Sequence, residues 1–68
     1  MGDRTRKEQL QYQMTTLTGL RSEIEMNRTQ FAKYMGIPLR DLEEWESGRR
    51  LMPDYLLRLI IYYVRLNK

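Results

Sequence analysis

Neither cysteine nor histidine occurs in this chain. Their absence removes disulfides, thiolate and imidazole metal sites, and the commonest proton-transfer side chain. No nucleophile stands beside a base and no phosphate-binding loop is present, so no enzyme, metal or cofactor is expected. What the sequence does hold is a concentration of arginines and carboxylates: Arg28, then Arg40, Asp41, Glu43, Glu44, Glu46, Arg49 and Arg50. A guanidinium donates two parallel hydrogen bonds to a phosphate or to O6 and N7 of guanine, and a carboxylate accepts from the N4 amine of cytosine. With 12 Lys and Arg against 9 Asp and Glu, the net charge is +3. That excess suits a polyanionic partner without the density of a nonspecific basic tail, although an ordinary domain with a mild basic excess has the same balance.

Helices must position these groups, and apolar spacing shows where they run. Leu10, Met14 and Leu17 form one weak helical stripe in a polar segment, so residues 1–15 are expected to be a polar N-terminal arm or a marginal helix, with the folded domain over 16–68. Leu17, Leu20 and Ile24 then recur at helical spacing, with Thr16 as a candidate cap. Asn27 followed by Gln30 is a capping-box pattern that opens a second helix at Arg28, ahead of Phe31, Ala32 and Met35, and Gly36 ends it. Pro38 starts a third helix with Leu42 and Trp45 facing inward, and Gly48 stops it. Pro53 and Asp54 start the last, where Leu56, Leu59, Ile60 and Tyr63 make one apolar face and Leu57, Ile61 and Val64 a second.

The expected fold is therefore all-α, a compact bundle of four to five short helices. Its last helix is apolar on too many sides for a monomer, with Tyr55 and Tyr62 rimming the surplus. A chain this small buries only about 60% of its unfolded surface, and without disulfides or metals a partner subunit is the remaining staple. A homodimer through the C-terminal helix is the expectation. No apolar run approaches the roughly 18 residues of a membrane span and no signal-peptide stretch is present, which points to the cytoplasm and away from membranes.

Between Asn27 and Gly48 the pattern is a short helix, a tight turn around Gly36 and a second short helix. Helices joined so closely cross steeply. In this helix-turn-helix arrangement the second helix enters the major groove, about 12 Å wide, and the first spans the backbone. The residues resemble the phage Cro and repressor type of helix-turn-helix, also called the XRE type. The resemblance rests on Gln30-Phe31-Ala32 with Gly36-Ile37, then Leu42, Trp45-Glu46-Ser47-Gly48 and Pro53, and it spans residues 17–64. It implies a lambda repressor-like bundle in which Arg28 meets a phosphate. It further implies that Leu39, Arg40 and Asp41 take the first exposed positions of the reading helix, with Glu44 one turn later, while Arg49 and Arg50 hold the DNA backbone. Arg21 and Glu46 match a structural ion pair linking the first and third helices. A helix N-terminus suits an anion on physical grounds too.

Several of these positions have a plainer structural alternative. Arg40 reads guanine or pairs with Glu44 at i, i+4, a pairing that would also orient it toward a base. Asp41 sits in the first turn, where it offsets the helix dipole or caps, and the structural role is preferred for it. Glu44 accepts from cytosine or is simply solvated, and Glu43 is expected to be solvated. Leu39 meets a thymine methyl or packs on the turn. Thr29 and Gln30 reach phosphate or a base at the groove edge unless Gln30 is occupied by Asn27. Trp45 belongs to the core rather than to a stacking platform.

The expected function is a sequence-specific DNA-binding transcriptional regulator, a repressor bound as a homodimer to an inverted repeat in double-stranded DNA. Arg28, Arg49 and Arg50 from each subunit would make about six phosphate contacts and give a log-log salt slope of about −5. The alternative is a protein-interaction module, such as an antitoxin-like domain that grips a protein partner and also represses its own promoter. The carboxylates at Asp41, Glu43, Glu44 and Glu46 weaken the positive field and keep that alternative open.

Overall fold

The computed structural model describes residues 5–67. Among the described residues four helices form, α1 (Arg6–Glu23), α2 (Arg28–Met35), α3 (Leu39–Ser47) and α4 (Asp54–Leu66), and there is no strand. The all-α bundle expected from apolar spacing is present.

The largest departure lies in α1. Of the two alternatives for this segment the helix is present and the arm is not: residues 6–15 are the first half of a single helix that continues to Glu23, and no helix starts at Thr16. The physical reason sits at Thr5, whose Oγ1 accepts from the Glu8 N–H at 3.1 Å while its own N–H donates to Glu8 Oε1 at 2.9 Å. This reciprocal capping box satisfies two donors that a helix start otherwise leaves open. Residues 1–4 of the expected arm lie outside the described residues. At the other end the Met26 N–H donates to the Arg21 carbonyl at 3.0 Å and the Glu25 N–H to that of Ser22 at 3.2 Å. That closure needs a left-handed residue, and here it is Glu25, at φ 55°, rather than glycine.

The next two helices follow their sequence signals. Asn27 and Gln30 form the capping box that opens α2, with Oδ1 of Asn27 accepting at 2.8 Å and Oε1 of Gln30 at 3.0 Å. Gly36 closes α2 at φ 72°, and Pro38 caps α3 without a side-chain bond. Gly48, at φ 79°, ends α3 where a Cβ would lie 2.9 Å from Met14 Sδ. The left-handed backbone is what calls for glycine there, since the Met14 thioether is the end of a flexible side chain that can turn aside.

Helix α3 packs between α1 and α2, and α4 closes the other side of α1. Leu17, Leu20, Phe31, Leu42, Trp45, Met52, Leu57, Ile60 and Val64 make the core, so Leu42 and Trp45 face inward as expected. On α4 the division of faces differs from the sequence reading. Leu57, Ile60 and Val64 point in, flanked by half-buried Leu56 and Ile61, whereas Leu59 and Tyr63 join Tyr55, Tyr62 and Leu66 outside. No helix among the described residues is long and apolar enough to cross a membrane.

Candidate nucleic-acid interface

Glu46 anchors the site although its own side chain is only 1% exposed. Arg21 grips it with two bonds, Nε to Oε2 at 2.7 Å and Nη2 to Oε1 at 3.0 Å, and sends Nη1 to the Met26 carbonyl at 3.2 Å. This is the ion pair between α1 and α3 that the resemblance implied. Arg28 joins as a third member, its Nε donating to Glu46 Oε1 at 2.9 Å. A carboxylate out of water needs this degree of pairing. The consequence for the site is geometric: the start of α2 is tied to α3, and Arg28, 48% exposed, is held at Nε while its terminal nitrogens have no partner among the described residues.

Arg28, Arg40 and Arg49 line one shallow bowl of about 400 Å³, together with Glu43, Glu44 and Ser47. Arg28 comes from the N-terminus of α2, Arg40 from the first turn of α3, and Arg49 from just beyond Gly48. Arg40 is exposed and has no hydrogen bond or ion pair among the described residues. The i, i+4 pairing of Arg40 with Glu44 is absent, because Glu44 turns to Arg50 instead, Oε1 to Nη1 at 3.3 Å. Three guanidiniums converging on one concave surface can hold phosphate oxygens or planar acceptor pairs.

Other candidates lie elsewhere. Thr29 and Gln30 are exposed at the start of α2 but do not line the bowl, and Gln30 is engaged with Asn27. Leu39 is half-buried and packs against the core, which favours its structural alternative. Asp41 neither caps α3 nor stands free; its Oδ1 lies 2.7 Å from Arg50 Nη2. Arg50 in turn lies with its guanidinium carbon 5.5 Å from the centroid of the Trp45 ring, a cation-π geometry. Its guanidinium is thus spent on Asp41, Glu44 and Trp45 within the chain, although the side chain stays 49% exposed.

One supporting residue escaped the sequence reading. Gln13 is fully buried in α1, and its Nε2 donates to the carbonyls of Trp45 at 2.9 Å and Arg50 at 2.8 Å while its Oε1 accepts from the Met52 N–H at 2.9 Å. This one side chain fixes the end of α3 and the strap that carries Arg49 and Arg50. Its signal was the spacing Gln13, Leu17, Leu20, which places a polar residue on the stripe that goes inward. The chain matches no protein-family model, curated protein or solved structure. The geometry of the bowl and the helices around it therefore carries the functional reading.

Proposed function

We propose that this chain is a sequence-specific DNA-binding transcriptional regulator that lays α3 in the major groove and acts as a homodimer on an inverted repeat. The observation that carries the reading is the bowl in which Arg28, Arg40 and Arg49 converge on one face of a helix-turn-helix unit. The resemblance of residues 17–64 to the XRE type of helix-turn-helix supports it. In this reading Arg40, unpaired at the start of α3, reads guanine through O6 and N7, and Glu44 lies one turn behind it. Arg28 and Arg49 hold phosphates on either side, the first from a helix N-terminus, which favours an anion. Repression follows from occupying a promoter, and the cytoplasm is the compartment in which such a chain would meet DNA.

Two protomers contributing Arg28 and Arg49 make four phosphate contacts, which gives a log-log salt slope of about −4. In vitro DNA selection tests the whole reading at once. An enriched palindrome with half-sites one helical turn apart is expected; a library that returns no motif overturns it.

A second reading, a protein-interaction module of the antitoxin kind, draws on the uncovered apolar face of α4 and on the carboxylates of α3. It predicts a stoichiometric protein partner together with negligible duplex binding that does not vary with salt.

A further inference from the structure

Three carboxylates, Asp41, Glu43 and Glu44, share the reading face of α3 with Arg40, and each would be repelled by phosphates. Arg50 is placed against two of them, at 2.7 Å from Asp41 and 3.3 Å from Glu44. Its position is restrained from several directions. The backbone carbonyl of Arg50 accepts from Gln13 at 2.8 Å, its N–H reaches the Glu44 carbonyl at 3.4 Å, and its guanidinium lies 5.5 Å from the Trp45 ring centroid. A side chain meant to reach outward for a phosphate has no use for an acidic cradle with its backbone fixed at both ends. Among the described residues Arg50 is the arginine paired with Asp41 and Glu44, and without it both carboxylates lose their counter-charge.

We propose that Arg50 is a positioning residue of the reading face, which neutralises Asp41 and Glu44 so that α3 can approach a polyanion, and does not itself grip the DNA backbone. The proposal rests on the DNA-binding reading and names how its site tolerates acidic residues. Arg49, on the adjacent position but lining the bowl, is the phosphate contact of the pair.

The test is duplex binding by fluorescence anisotropy across a salt series, on the selected palindrome, for the wild type, Arg50→Ala, Arg49→Ala and the triple variant Arg50→Ala/Asp41→Asn/Glu44→Gln. Arg50→Ala is expected to bind at least roughly tenfold more weakly at low salt, because two carboxylates are then left facing phosphates. The triple variant is expected to return to within about threefold of wild type, since no charge remains to be cancelled, a recovery that a purely structural role would not produce. The triple variant should also restore the wild-type salt slope, whereas Arg49→Ala should lower the slope by about 0.9 per protomer. Arg50→Gln, which can still donate to one carboxylate, serves if Arg50→Ala fails to give the wild-type circular dichroism spectrum, and it carries the same expectations. A triple variant as weak as the single one overturns the proposal alone. A wild type that binds no duplex overturns the DNA reading and this proposal with it.

Discussion

Among the described residues Gln13 and Glu46 are the two buried polar side chains of the core, and their burial is tolerated for different reasons. Gln13 is neutral and uses both ends of its amide on backbone groups that α1 would otherwise cover. Replacing it with leucine preserves much of the volume but strands two carbonyls and an N–H, at about 1 to 3 kcal/mol for each group that stays dry. The bond to the Arg50 carbonyl is only part-buried, so the expected loss is about 3 kcal/mol, read as a lower urea midpoint at unchanged slope. Glu46 is charged and depends on Arg21 and Arg28. Truncating it to alanine leaves Arg21, itself largely covered, without its partner, and is expected to cost about 3 kcal/mol in the same measurement. How far the site could be read in advance follows from the range of each interaction. Arg28, Arg40 and Arg49 fell together because a helix-turn-helix fixes their relative register. The pairing of Arg50 with Asp41 and Glu44 depends on how the chain folds back after Gly48, and neither helical spacing nor charge sequence encodes that path.

At the scale of elements, boundaries were legible where capping is local and hidden where a stripe is interrupted. The Asn27–Gln30 box, Gly36 and Gly48 marked α2 and α3 because each acts within a few residues of itself. Helix α1 was cut in two by the reading because its buried face begins with a glutamine and its apolar contrast is low, although Thr5 and Glu8 carried the same capping pattern as Asn27 and Gln30. The two faces of α4 were left unranked, with Ile60 grouped apart from Leu57 and Val64, for a related cause: nearly every side is apolar, so periodicity alone cannot choose which one meets the core. The turn between α1 and α2 offers a direct check on element-level reasoning. Glu25 holds a left-handed conformation at φ 55°, which is costly for a residue with a Cβ. Glu25→Gly relieves that strain while adding freedom to the unfolded chain, and a net gain of about 0.5 kcal/mol is expected, seen as a thermal midpoint raised by about 2 to 4 °C. A drop in the midpoint would show that the glutamate contributes contacts that outweigh its backbone strain.

The whole molecule measures 32 × 24 × 17 Å along its principal axes. In the proposed DNA-binding function, half-sites one helical turn apart would lie about 34 to 36 Å from centre to centre, so one copy with a single α3 would read only one of them and a palindrome would call for two. The face that would join the copies is written on α4. Tyr55, Leu59, Tyr62 and Leu66, spaced by four, three and four residues, form one stripe and are 58% to 77% exposed. That spacing suits a seam between two packed helices, and these side chains gain little from standing in water. Beside the stripe, Tyr34, Met35 and Ile37 border a groove of about 380 Å³ that could receive side chains from a second copy. An aspartate at Leu59 places a charge, and its image in the partner, at the middle of the stripe, where burial without a counter-ion is costly. Because Leu59 is already exposed, Leu59→Asp should leave the helical signal intact, while sedimentation shifts from dimer to monomer at micromolar concentration. Binding to the full palindrome should then fall toward the level of an isolated half-site, roughly a hundredfold or more, since the second contact is no longer intramolecular. A variant that stays dimeric would move the interface to another face of the bundle and leave the α4 stripe without a function in assembly.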